Sequence, residues 1–407
     1  MNILLIHNQY QQLGGEDSIV ATEAELLESY GHQVYRYQVD NHQLKEMNPV
    51  AITKATLWNS KIYQEIRRLI KKVKPQVAHF HNTFPLISPA AYYAAQAEGV
   101  PVVQTIHNFR LLCANALFFR EGKVCEECLI KNNPLPGIVH SCYRNSRTAS
   151  VAATLTVKLH SLIGTWAKAI DTFIVYSHFA HKKLVQGGLP AEKIAFKTNF
   201  IYPVPKIGDG SGNYALFVGR LAPEKGTKVM LKAWEELGHK IPLKIVGDGP
   251  LAPQVATVAK NISGVEWLGR KPLSEVYQLM RKASFLIIPS EWYETFGRVG
   301  IEALATGTPL LTSNIGALSE LVEPNCNGLL FNPGDANDLT NKAKLLIENP
   351  LKLIQMRQAA RQSFEAQYLA SDNYQRLMEI YNCLIINRSK TVTVNQNKSR
   401  QIVNSVD

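Results

Sequence analysis

The sequence predicts an α/β protein built from two doubly wound domains that face each other across a cleft. Three observations carry this expectation. Short β-branched apolar runs alternate with amphipathic helical stretches, which is how a parallel sheet covered by helices reads. The alternation stops in a segment rich in proline and glycine and then begins again. Finally, 407 residues, at about 150 per domain, suffice for two or three cores. With 46% hydrophobic and 19% charged residues and a mean hydropathy of -0.10, collagen-like, low-complexity and mostly disordered classes are excluded.

In order along the chain, residues 2–6 form a strand-length apolar run, followed by the glycine loop HNQYQQLGGEDS. Helical periodicity over 19–30 ends before Gly31. Strands are expected at 33–37, 77–80 and 101–106, with helices at 61–72 and 90–97, the latter stopped by Gly99. After a cysteine-bearing insertion at 110–148 come a helix over 149–169 and a strand over 172–176, and the first domain, 1–200, closes near Phe200. The stretch IYPVPKIGDGSG, 201–212, has little periodicity and reads as a linker. The second domain, 213–370, repeats the pattern with strands at 214–218, 243–246, 265–268, 285–289 and 309–312 and helices at 227–236, 250–260, 274–282 and 300–305. A last helix over 371–387 is expected to cross the junction, and the polar, aperiodic 388–407 reads as a disordered tail. Carboxyl ends of two such sheets, facing each other, place a shared ligand between the domains.

The charge sum, 44 Lys+Arg against 33 Asp+Glu, is +11, which points to an anionic partner. No apolar run reaches the roughly 18 residues of a membrane span, and the first seven residues lack the basic flank of a secretory signal. The expected address is therefore the cytoplasm, with a peripheral place on the inner face of the membrane if the acceptor is lipid-linked. No helix-turn-helix, RNP or finger spacing accompanies the basic charge, so nucleic acid is not expected as a partner.

The chemistry-bearing residues cluster at strand ends. GRLAPEKG puts Arg220 and Lys225 in a loop before a helix; an Arg fork and a Lys point charge suit a diphosphate, whereas the bland alternative is a solvated turn. VGDGP supplies a second glycine turn at Gly247. In PSEWYETFGRVGIEALATGTP, Glu294 and Glu302 are separated by seven residues. If a helix starts near Gly297, the N–H groups of Thr295, Phe296 and Gly297 face the cleft. Carboxylates accept hydrogen bonds from vicinal hydroxyls, so the pair flanking a phosphate-binding helix start points to a nucleotide sugar. Taken singly, each Glu is better read as a capping or a solvated helix residue, and only the whole constellation favours the sugar nucleotide.

These residues resemble the family 4 glycosyltransferases of the GT-B fold, two Rossmann-like domains, over nearly the whole chain to about residue 386. The resemblance implies that Glu294 contacts the transferred sugar, Glu302 the ribose, and Arg220 with Lys225 the diphosphate. It places Gly247 and the Gly269-Arg270-Lys271 segment at the base, and Gly14, Gly15 and Glu16 beside the diphosphate. His107, in QTIHNFR, matches the family's sugar-facing histidine; the alternative without the motif is a core histidine satisfied by backbone, but its place at a strand's carboxyl end favours function. Implied too are a nucleoside-diphosphate sugar of UDP or GDP type as donor, a glycan or lipid-linked acceptor, retention at the anomeric carbon and no obligatory catalytic metal. Retention is open to a covalent glycosyl-Glu intermediate or to same-face attack. A nucleotide-sugar epimerase or a phosphorylase would share the fold. A zinc-stabilised nucleic-acid-binding protein is the rival from outside enzymology.

Two features need separate explanations. Cys113-x11-Cys125-x2-Cys128-x13-Cys142 reads as a tetrahedral structural zinc site, as reduced buried thiols, or as a redox pair at Cys125 and Cys128. The helix of 61–72 sets Lys61, Arg67, Arg68, Lys71 and Lys72 against Ile62, Ile66, Leu69 and Ile70. It is either a surface helix or a membrane-lying one.

Overall fold

A computed structural model describes residues 1–11, 14–237 and 240–403, with side chains described to residue 388. Strands β1 Asn2–Gln9, β2 Gln33–Asp40, β3 Val77–Phe80 and β4 Val102–Thr105 precede a small antiparallel hairpin, β5 Phe119–Arg120 with β6 Lys123–Val124. Strands β7 Thr172–Val175 and β8 Ile194–Phe196 complete the first sheet, in the order β2-β1-β3-β4-β7-β8 and parallel throughout. The second sheet comprises β9 Ala215–Val218, β10 Leu243–Val246, β11 Val265–Gly269, β12 Phe285–Ile288, β13 Leu310–Ser313 and β14 Gly328–Phe331. Its order is β11-β10-β9-β12-β13-β14, again all parallel. Both sheets reverse direction of winding beside their first strand, between β1 and β3 and between β9 and β12, where doubly wound sheets open a crevice for ligands.

Helices cover both faces of the sheets, so every residue of β3, β4, β12 and β13 is buried, His79 and Gln104 included. Separate cores fill the two domains, one around Phe80, Phe109 and Phe173 and another around Trp234, Phe285 and Phe331. A third core spans the junction, joining Ile19 and Tyr176 of the first domain to Phe296, Ile301 and Phe364 of the second. The final helix, Ala370–Val403, returns to the first domain, where Leu377, Ile380 and Tyr381 pack on Ile3, Leu5 and Val103.

Several expectations are corrected. The helix expected over 149–169 is two, Arg147–Leu162 and Thr165–Lys168, because Gly164 between them is left-handed at φ 77°. The segment expected as a disordered tail from 388 continues the last helix to Val403, since no glycine or proline stops it; 404–407 lie outside the described residues. The sequence reading passed over the helices Pro49–Leu57, His178–Gln186, Ala336–Ile347 and Pro350–Gln367, and strand β14. The basic helix, Ser60–Val73, seats Ile62, Ile66 and Ile70 in the core of the first domain, each burial stabilising by about 1.5–3 kcal/mol. Its apolar face is therefore spent on the fold, and the membrane reading of this helix is withdrawn.

Candidate active site

The Lys225 loop follows β9 and the Glu294 loop follows β12, the two strands that flank the switch point of the second sheet. What brings them together is Gly226. It is left-handed at φ 68°, and a Cβ there would lie 1.7 Å from the Pro289 carbonyl oxygen, so only glycine lets the two loops touch. The Lys225 ammonium then donates to Glu294 Oε1 at 2.8 Å, Ser290 Oγ donates to the same oxygen at 2.7 Å, and Lys225 lies over the Trp292 ring at 5.0 Å. Burial alone would push the Glu294 carboxyl up, but Lys225 and Ser290 outweigh it and hold it below its ordinary value. Glu294 is thus an ionised, fixed carboxylate at the strand ends.

Gly297 caps the helix Arg298–Ala305 in the left-handed region at φ 94°, with Leu318 Cδ2 2.5 Å from where a Cβ would be. The N–H groups of Thr295, Phe296 and Gly297 donate to no acceptor among the described residues, whereas the Phe296 side chain is buried in the junction core. Glu302, one turn into the helix, accepts from Arg298 Nε at 3.0 Å; burial raises its carboxyl and Arg298 only partly offsets this. Gly247, at φ 140°, sits 1.8 Å by its absent Cβ from the Gly219 carbonyl, and its own carbonyl accepts from Trp267 Nε1 at 2.9 Å. The turn after β10 is therefore clamped between its neighbours.

Other expected residues lie apart. Arg220 does not reach Glu294; it is 58% exposed and its guanidinium pairs with Glu224. Arg270 and Lys271 are exposed beside the end of β11, with Lys271 3.2 Å from Glu275. Cys113, Cys125, Cys128 and Cys142 line one small cavity inside the insertion.

The first domain meets this loop through its own strand ends. Thr295 Oγ1 donates to the His107 carbonyl at 2.9 Å, and Ser177 Oγ donates to the Thr295 carbonyl at 2.8 Å. The N–H groups of His178 and Phe179 donate to Glu320 at 2.9 and 2.6 Å, so a carboxylate of one domain caps a helix of the other. Gly14 caps the helix Gly15–Ser29, its N–H donating to Asp17 Oδ2 at 2.8 Å, while Gly15 leaves open space beside it. Glu16 accepts from the Tyr10 hydroxyl at 2.9 Å, and burial pushes its carboxyl up to about 8.

Behind His107 lies a buried polar network that the sequence reading missed. His107 Nε2 is 3.0 Å from His81 Nδ1; His81 Nε2 is 3.3 Å and His79 Nδ1 3.2 Å from Glu23 Oε1. Lys197 donates to Glu23 Oε2 at 2.8 Å and to Asn373 Oδ1 at 3.0 Å. The Tyr381 hydroxyl is 2.7 Å from His79 Nδ1. Burial, with His81 beside it, holds His107 well below the ordinary histidine value, so its imidazole is neutral. Glu23, His79 and His81 stand close enough to hold a metal ion. The Lys197 ammonium already neutralises that carboxylate, and both His79 nitrogens have partners, Tyr381 and Thr105. The His-x-His spacing at the end of β3 was the available signal.

Comparison with known proteins gives a consistent answer. Residues 13–202 match the family Glycosyltransferase Family 4 and residues 205–363 the family Glycosyl transferases group 1. An uncharacterized glycosyltransferase of Methanocaldococcus jannaschii is 38% identical over 143 residues, 35% of this chain and 40% of that one. The chain thus spans less than half the length of that relative. The 2-deoxystreptamine glucosyltransferase of Streptomyces kanamyceticus is 30% identical over 301 residues, covering 70% of this chain and 73% of its own. Among solved structures, Anabaena HepE in complex with UDP superposes with a TM-score of 0.67 at 17% identity, over 94% of this chain and 100% of that one; the same protein has been crystallised with UDP-glucose. That likeness shows the two-domain GT-B fold.

Proposed function

The chain belongs to the family 4 glycosyltransferases, and on that premise we propose that it moves a hexosyl group from a nucleoside-diphosphate sugar, of UDP or GDP type, to a glycan or lipid-linked acceptor of a cell-surface polysaccharide or glycolipid. Residues 213–370 hold the donor and residues 1–200 the acceptor, with 371–387 crossing between them. The observation that supports this reading is the Lys225–Glu294 contact of 2.8 Å. A departing diphosphate needs a cation, a sugar needs an acceptor for its hydroxyls, and Gly226 holds both at one point.

In this reading Glu294 orients the transferred sugar and Glu302 holds the ribose hydroxyls. Lys225, Arg220 after leaving Glu224, and the N–H groups of Thr295 to Gly297 stabilise the phosphate charge. Gly14 and Gly15 let backbone approach the diphosphate, and Gly247, Arg270 and Lys271 border the base. The bond from the anomeric carbon to the phosphate oxygen breaks, the acceptor oxygen bonds to that carbon from the same face, and its proton passes to the departing phosphate. His107, neutral, accepts a hydrogen bond from a sugar hydroxyl. Cations of the chain take the place of a catalytic metal. Cys113, Cys125, Cys128 and Cys142 line one cavity, but no three of their sulfurs lie within 4.8 Å of one another, so a structural zinc there would have to draw them together on binding: metal analysis that finds one zinc per chain would support it, and a metal-free preparation with unchanged melting would refute it.

The test is transfer by Lys225→Ala and Glu294→Ala. Each should lose more than about 100-fold in kcat while keeping wild-type circular dichroism. Near-normal turnover in both would remove the mechanism.

A further inference from the structure

The helix Arg147–Leu162 is built inside out. Its buried residues are small or polar, Ala152, Ala153, Thr154, Thr156 and His160, and the His160 ring is spent on Thr165 and the Leu57 carbonyl at 2.8 and 3.0 Å. Its large apolar residues, Val151, Leu155, Leu159 and Leu162, point outward at spacings of four, four and three, with Leu162 73% exposed. A helix that had only the core to satisfy would reverse this assignment. The helices packed on either side extend the pattern: Leu135–Val139 exposes Leu135 and Val139, and Pro49–Leu57 exposes Val50. This many exposed apolar side chains on neighbouring helices mark a surface with a partner.

Charge identifies the partner. Between Glu127 and Asp171 the chain has no Asp or Glu, but it carries Lys131, Arg144, Arg147, Lys158 and Lys168. Between Glu46 and Glu65 there is again no acid, with Lys54 and Lys61 present. A second copy of this chain would bring like charges together across such a face, whereas an anionic bilayer would take the leucines into its interface and the lysines against its headgroups. The face also lies on the acceptor side. Thr154, Lys158 and Trp166 border a cavity of about 70 Å³ that shares Arg110, Leu111 and Trp166 with a second cavity reaching His107.

We infer that Val151, Leu155, Leu159 and Leu162, with Leu135, Val139 and the flanking cations, form the face by which this protein lies on an anionic lipid bilayer. The inference rests on the reading above that the acceptor is lipid-linked. It places the membrane contact on this helix and not on the basic helix Ser60–Val73.

The experiment is flotation of the full chain with vesicles of phosphatidylcholine, alone or mixed with phosphatidylglycerol. UDP-induced thermal stabilisation is measured on every variant as a check of fold and donor site. Wild type should float with the anionic vesicles, less so in high salt. Leu155→Glu with Leu159→Glu should lower partitioning by about tenfold or more. Arg147→Glu with Lys158→Glu should lower it by about fivefold per residue on anionic vesicles only, and Arg68→Glu with Lys72→Glu should leave it unchanged. The inference is overturned if wild type ignores phosphatidylglycerol or if the leucine double variant floats as wild type does. It is equally overturned if wild type is a dimer that the leucine double variant dissociates, which would make the face a self-contact. Vesicle binding as expected with no response to any nucleotide would sink the donor reading while leaving this surface standing.

Discussion

Glu16 shows what burial does to a single carboxyl beside an anionic ligand. In the folded chain it titrates at about 8 rather than near 4.5, because burial disfavours its charge, with Asp17 adding to the effect and Arg110 and the Tyr10 hydroxyl opposing it. Below about 8 it is neutral and does not repel a diphosphate held at Gly14 and Gly15. Since the folded value is the higher one, the folded state keeps a proton that the unfolded chain gives up. This group therefore favours folding fully below the unfolded value, and that contribution is lost as pH rises through about 8. Glu16→Gln should raise the melting temperature relative to wild type more at alkaline than at mildly acidic pH, and should abolish a rise in donor KM above about pH 8. A melting difference that does not change with pH would contradict the placement. Much of this scale was legible beforehand: Glu294, Lys225 and Gly297 declare themselves through residue type and spacing. The pairing of Arg220 with Glu224 was not, because a flexible side chain chooses its partner in three dimensions.

Among the elements, strands β3, β4, β10 and β12 could be read to within a residue or so, since each is a short run rich in β-branched and apolar residues bounded by turn signals, which a single interruption such as His79, Gln104 or Lys244 does not hide. The helix Pro350–Gln367 escaped because its apolar periodicity is weak and its burial comes from Met356, Ala360 and Phe364 alone, whereas Ala336–Ile347 does carry a helical stripe, Ala336, Leu339, Ala343 and Leu346, that was available to be read. The buried network was also hidden, for it joins the helix Gly15–Ser29, the end of β3, Lys197 beyond β8 and the last helix, four segments remote in sequence. Its energetic weight can be measured. Lys197→Met leaves the Glu23 carboxylate buried without its cation and should cost about 3–5 kcal/mol in denaturant unfolding; Lys197→Met with Glu23→Gln should recover much of it. A loss below about 1 kcal/mol in the single variant would mean that water reaches the pair. At the loop after β9, Gly226→Ala should remove transfer as thoroughly as losing Lys225, because the Cβ forces that loop off Pro289. A variant with normal kcat would show that the two loops can part without consequence.

For the molecule as a whole, the domains meet through loops at the carboxyl ends of both sheets, with Glu320 reaching across to the helix His178–Gln186 and Thr295 to His107. A donor bound there should steady both halves at once. At 100 times its dissociation constant a nucleoside diphosphate should add about 2.7 kcal/mol of stability, visible as a shift of several degrees with UDP, GDP or ADP and without magnesium. Glu320→Ala removes the carboxylate that caps the helix His178–Gln186 and should destabilise the free protein by about 0.5–2 kcal/mol; unchanged melting would show that the domains meet without this contact. No shift with any nucleotide, checked by calorimetry, would remove the donor reading.

The return of the last helix to the first sheet has a consequence for anyone who would recombine this protein with its relatives. Leu377, Ile380 and Tyr381 complete the packing around Ile3, Leu5 and Val103, so the N-terminal half is finished by residues translated after the C-terminal half. A gene fusion cut once, between 200 and 213, would orphan that helix on the wrong parent. A workable chimera needs two crossovers, the second near residue 370, so that the closing helix travels with the sheet it covers.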